Sequence, residues 1–85
     1  MNIDYSRQFI RSYKKLSLSI KIRFEFTERI FKSDVSDSRL KTHKLHGKFD
    51  GLWSFSVDFN YRVIFEFQKK DLIRFHAIGS HDIYK

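Results

Sequence analysis

Apolar positions fall at helical spacing early in the chain and alternate with polar ones toward its end. Asn2–Tyr5 reads as a short strand, and Ser6 as the N-cap of a helix whose apolar positions Phe9, Ile10, Tyr13 and Leu16 follow the helical period. The next segment, LSLSIKIRFEF over residues 16–26, alternates strictly, as a half-buried strand would. A wider window reverses that reading. At about 100° per residue, Lys21, Glu25, Glu28, Arg29 and Lys32 gather on one narrow face. Lys21 with Glu25, Glu25 with Arg29, and Glu28 with Lys32 then form opposite-charge pairs one turn apart. The pattern predicts a helix over residues 19–32. It carries two apolar stripes, Ile20, Phe24 and Phe31 in one and Ile22, Phe26 and Ile30 in the other. A single sheet face covers only one of them, so the second is either deep core or a docking surface.

Residues 33–38, SDVSDS, read as a loop, and the alternation that follows is clean. WSFSVDF puts Trp53, Phe55, Val57 and Phe59 on one face of a strand and Ser54, Ser56 and Asp58 on the other. Asn60 marks a turn. YRVIFEF is the next strand, with Arg62 and Glu66 opposite Tyr61, Val63, Phe65 and Phe67. QKKD turns the chain into LIRFHAIG, whose more polar face carries Arg74 and His76. The expected architecture is α+β, in the order β-α-α-β-β-β: an edge strand, two helices, then an antiparallel meander whose apolar face packs on the helices. The polar face is expected to stay open.

Composition narrows the class. The 85 residues form one domain, 1–85, with no repeat, no Pro and no linker. Ten Phe, four Tyr and one Trp offset the thin core of so small a chain. Without Cys there is neither a disulfide nor a thiolate site, which fits a reducing compartment. The longest apolar run is three residues, 63–65, far too short to cross a bilayer, so a soluble cytoplasmic protein is expected. A net charge of +7, spread along the folded region, favours a polyanionic partner.

Between helices and sheet lies HKLHGKFDGLWS, residues 43–54, with two histidines, two lysines, two glycines and the only tryptophan. It holds most of the ingredients of a proton-transfer site. Gly47 and Gly51 read as turn residues, and Trp53, Phe55 and Val57 as core. The four histidines lack a recognised ligand spacing with the carboxylates, so no metal or cofactor is expected.

Four pieces in order, LKTHKLHG, GLWSFSV, YRVIF and IGSHDIY, resemble the RelE/ParE superfamily of bacterial type II toxins, closest to its YafQ-like and RelE/StbE-type members. The resemblance spans essentially the whole chain and implies the RelE-like β-α-α-β-β-β fold. It further implies a metal-independent endoribonuclease (an mRNA interferase) that cuts messages in the ribosomal A site, and a cognate antitoxin that blocks it in a hetero-oligomeric complex. His43 and His81 resemble histidines used by YafQ-like toxins, one as base and one as acid, with the assignment open. Arg62 matches the family's phosphate-clamping arginine, and Tyr84 its C-terminal aromatic. Lys44, Lys48, Arg74 and His76 are expected to contact RNA. His46 and Asp58 are weaker candidates, for which a plain surface role stands beside a catalytic one. Relatives of the same fold that poison DNA gyrase leave a non-catalytic ParE-like toxin as an alternative, with a basic RNA-binding domain as a third.

Overall fold

A computed structural model of the chain describes residues 1–80. Strand β1 (Asn2–Tyr5) leads into helices α1 (Arg7–Lys14) and α2 (Leu18–Ser33). The chain then makes a short β2 (His43–Lys44), β3 (Trp53–Ser56), β4 (Tyr61–Lys69) and β5 (Leu72–Ser80), with 3₁₀ turns at Ser38–Leu40 and Gly47–Phe49. The strands form one sheet in the order β1-β5-β4-β3-β2. Strands β2 to β5 pair antiparallel, whereas β1 runs parallel to β5. The sheet is therefore mixed, and its fifth strand, β2, comes from a segment expected to be a connection.

Helix α2 forms over essentially the expected residues, despite the local alternation. Among the described residues its charges form no ion pair with one another, and two of them meet tertiary partners instead: the Lys21 ammonium sits over the Tyr13 ring and Glu28 accepts a hydrogen bond from the Tyr5 hydroxyl. Both helices start on a serine, Ser6 Oγ accepting from Phe9 N at 3.0 Å and Ser17 Oγ from Ile20 N at 3.3 Å. Ser6 also donates to the His76 carbonyl at 2.8 Å, which ties the start of α1 to β5.

Between the helices and the sheet lies a core dominated by phenylalanines. Phe31 is fully buried, stacked on Phe55 at 4.8 Å and edge-on to Phe65 at 4.9 Å. Phe9, Phe24 and Phe75 complete the same cluster. The division between the two stripes of α2 is incomplete: Phe24 and Phe31 of the first are core together with Ile30 of the second, while Ile22 and Phe26 stay exposed beside Leu18.

Two departures reshape the opposite face. It is not left open, because Leu45, Ile64 and Ala77 form a second small cluster against which Phe49 and Leu52 pack. The turns that fold this segment over the sheet use Gly47 and Gly51, both with positive φ. Phe59, expected on the core face, is instead 88% exposed. Strand β3 ends at Ser56, and the Asp58 carboxylate then accepts from Asn60 N at 2.8 Å and Tyr61 N at 2.6 Å. That side-chain turn breaks the alternation before Phe59 and swings its ring outward.

Candidate functional site

The strand registers decide which polar side chains meet. His43 lies opposite Ser54, and Ser56 lies opposite Arg62. Ser54 and Ser56 are two residues apart on β3 and share a face, so His43 and Arg62 flank β3 on that same face. By strand spacing their backbones are about 12 Å apart, a gap their side chains can narrow around one extended substrate.

Each of the two is held. Arg62 Nη1 donates to Ser56 Oγ at 2.8 Å, and Ser56 is itself buried, so one end of the guanidinium is fixed while the rest remains available. His43 Nδ1 lies 2.9 Å from the Lys41 carbonyl. A carbonyl only accepts, so Nδ1 carries the proton and Nε2 presents its lone pair in the neutral ring. Ser54 Oγ, fully buried, stands 3.5 Å from that Nε2. Lys41 aims its carbonyl back at the ring from a left-handed conformation, φ 50° and ψ 44°, at the end of the first 3₁₀ turn.

The other expected residues fall elsewhere. His46 is exposed and precedes the second 3₁₀ turn. Strand parity puts it off the His43 face, so the two histidines are not brought together. Asp58 holds the β3–β4 turn. Lys44 and Lys48 place their ammonium groups over the rings of Trp53 and Phe49, at 5.5 and 5.4 Å. Arg74 pairs with Asp4, and His76 Nε2 meets Glu66 Oε1 at 2.9 Å. These four side chains sit at the far end of the polar face, beyond the Leu45–Ile64–Ala77 cluster. A register shift in the β4–β5 ladder leaves His76 without a ladder partner between Phe75 and Ala77. His81 and Tyr84 lie outside the described residues. Among the described residues no three His, Asp or Glu side chains converge as a metal site would require.

Beside Arg62 the structure adds groups that sequence patterns do not single out. A recess of about 170 Å³ at the end of β3 is lined by Arg23, Arg39, Lys41, Ser56, Val57, Asp58 and Phe59. Ser56 and Lys41 thus belong both to this recess and to the partners of Arg62 and His43. The serines were visible as polar positions in an alternating strand; the convergence of Arg39 and Lys41 upon them is tertiary. On the helical side, a more apolar groove of about 420 Å³ runs between Tyr5, Phe9, Ile10, Tyr13 and Phe24, with Lys14 and Lys21 at its edge. Among the described residues, no helix is long and apolar enough to cross a membrane.

No protein-family model matches the sequence, and no curated protein does. Solved structures do match. YafQ from E. coli strain BL21(DE3) superposes with a TM-score of 0.72 at 23% identity, over 98% of this chain and 96% of that one. The YoeB/ParE toxin from Agrobacterium tumefaciens gives 0.79 at 14% identity, over 95% and 99%. The archaeal RelE–RelB complex from Pyrococcus horikoshii OT3 gives 0.73 at 21% identity, over 93% and 92%. The chain has the RelE-like fold that these proteins share.

Proposed function

We propose, from a fold shared with YafQ, YoeB/ParE and RelE proteins, that this chain is the toxin of a type II toxin–antitoxin pair. Its activity would be that of a metal-independent endoribonuclease cutting mRNA in the ribosomal A site, in the cytoplasm. The observation that carries the reading is the pair of held side chains on one sheet face: Arg62 anchored on Ser56, and His43 with Nδ1 turned to the Lys41 carbonyl.

The chemistry follows from those atoms. Cleavage by 2′-OH attack forms a bond from the 2′-oxygen to phosphorus and breaks the bond to the 5′-oxygen, leaving a 2′,3′-cyclic phosphate and a 5′-hydroxyl. A base must take the 2′ proton, and His43 Nε2, whose lone pair in this tautomer meets only the long 3.5 Å contact to Ser54 Oγ, is proposed for it. Charge grows on the non-bridging oxygens, and the permanently charged Arg62 is suited to hold two of them. The leaving 5′-oxygen needs a proton, for which His81 is the proposed donor. Tyr84 is proposed to stack on a base or orient the phosphate.

An antitoxin is the proposed protein partner. The matched RelE is in complex with RelB. This chain leaves Leu18, Ile22 and Phe26 exposed along α2, with the apolar groove between the helices nearby, as an amphipathic helical segment would require. Lys14 and Lys21 at the groove favour acidic flanks on that segment.

Induction of the wild type and Arg62→Ala in bacteria, with mapping of mRNA 5′ ends, tests the nuclease reading. Codon-phased cuts on translated messages that vanish in the variant are the expected result. Growth arrest without cuts in the wild type would sink it and turn the search to gyrase or another target.

A further inference from the structure

Phe59 has no structural work to explain it. Its ring is 88% exposed at the tip of the β3–β4 turn and has no ring partner among the described residues. Exposing so large an apolar side chain gains nothing in folding, since its transfer out of water is forgone. Yet it stands on the lining of a recess that brings the cations Arg23, Arg39 and Lys41 together beside Ser56, Val57 and Asp58.

The charges in that recess are unevenly committed. Arg39 is neutralised by a two-pronged pair with Asp37, with contacts of 3.0 and 2.9 Å. Arg23 donates Nε to the Val57 carbonyl at 2.9 Å and lies over the Phe26 ring, so its charge meets a dipole and a ring face. Lys41 contributes a second positive charge, and Arg62 stands next door through Ser56. Against them is Asp58, whose Oδ1 is already engaged by two backbone amides. The balance favours an anion. The volume, about 170 Å³, is roughly that of six waters, room for a phosphate but not for a folded segment.

We infer that the recess at the β3–β4 turn is a nucleotide-binding subsite, which seats an RNA phosphate beside Arg23 and Lys41 and stacks the attached base on Phe59. The inference rests on the ribonuclease reading and extends it. Because Ser56 and Lys41 serve both places, the subsite holds a nucleotide adjacent to the scissile bond and fixes the strand's direction across the sheet. Stacking on a ring tolerates any base, because every base has a π-face.

The test is binding of a short 2′-O-methyl oligoribonucleotide, which cannot be cut by 2′-OH attack, to the free protein by fluorescence anisotropy. Phe59→Ala should weaken binding about tenfold, with Phe59→Trp close to wild type. An oligomer carrying abasic positions should bind wild type and Phe59→Ala alike. Lys41→Gln should lower the slope of log affinity against log salt by about one phosphate contact. Thermal unfolding checks that Phe59→Ala remains folded, as its exposure requires. Equal binding by wild type and Phe59→Ala, an equal loss on the abasic oligomer, or no binding by the wild type would overturn the subsite. So would a loss confined to an acidic peptide, which would make the recess a protein contact. If the Phe59 pattern holds while no mRNA cuts map in cells, the subsite stands and the nuclease reading falls; cuts together with indifference to Phe59 give the converse.

Discussion

Arg62 on β4 and Ser56 directly opposite it on β3 are joined by a 2.8 Å hydrogen bond on the polar side of the sheet. An arginine so anchored has surrendered part of its rotamer freedom before any substrate arrives, which lowers the cost of ordering it around a phosphate.

Removing the anchor should therefore separate position from charge. Ser56→Ala keeps the guanidinium and is expected to lower mRNA cleavage about tenfold, by the cost of misplacing a catalytic group. Arg62→Ala should remove cleavage, and Arg62→Lys should restore little because an ammonium cannot grip two oxygens in a plane. Cut frequency at mapped 5′ ends, normalised to the level of the protein, is the readout. Full activity in Ser56→Ala would show that the hydrogen bond positions nothing.

His43 makes the complementary case. It is exposed on the edge strand, where its ring nitrogens meet the Lys41 carbonyl and Ser54 Oγ. His43→Gln should lower cleavage about 10²- to 10⁴-fold, the range of a lost general base, and leave the unfolding midpoint in denaturant unchanged. A large fall in stability together with activity would recast His43 as a structural residue.

Much of this arrangement can be read in the sequence because strand parity is a local property. Alternation from Trp53 to Val57 and from Tyr61 to Phe67 puts Ser54, Ser56 and Arg62 on the face opposite the core, where they lie. Parity fails wherever a side chain or a bulge interrupts the ladder. Asp58 captures two amides and expels Phe59, and the register shift beside His76 is likewise invisible to a period of two. The second cluster was missed because Leu45 and Leu52 lie either side of a glycine turn and reach Ile64 and Ala77 only after it closes. Nothing in the residue type at position 41 announces a left-handed backbone whose carbonyl fixes a neighbouring imidazole.

The core makes a prediction of stability alone. Phe31 is completely buried and touches the rings of Phe55, Phe65 and Phe75. Phe31→Ala should cost about 3–5 kcal/mol, from lost transfer and the cavity left behind. A domain of this size has only about 5–10 kcal/mol in total, so the variant should lose about a third or more of its stability. Urea unfolding of the purified protein would show it, and a loss below about 1 kcal/mol would mean that the phenylalanine cluster repacks.

At the other edge of the sheet, Tyr5 gives stability a dependence on alkaline pH. Its hydroxyl donates to the Glu28 carboxylate, tying β1 to α2. Burial raises its pKa well above the ordinary tyrosine value of 10.0, and the hydrogen bond to Glu28 and that carboxylate's charge raise it further. The unfolded chain then loses this proton before the folded one does. Above about pH 10 the folded state binds more protons than the unfolded, so unfolding free energy falls as pH rises. Below that value the contribution is fully present. Tyr13, also raised by burial and by Glu25 and Glu28, adds to the same slope. Tyr5→Phe should therefore be somewhat less stable than wild type at neutral pH but lose stability less steeply between pH 10 and 12, with a residual slope from Tyr13. Parallel slopes for the two proteins in urea titrations across that range would mean that Tyr5 ionises in the folded state as readily as in the unfolded chain.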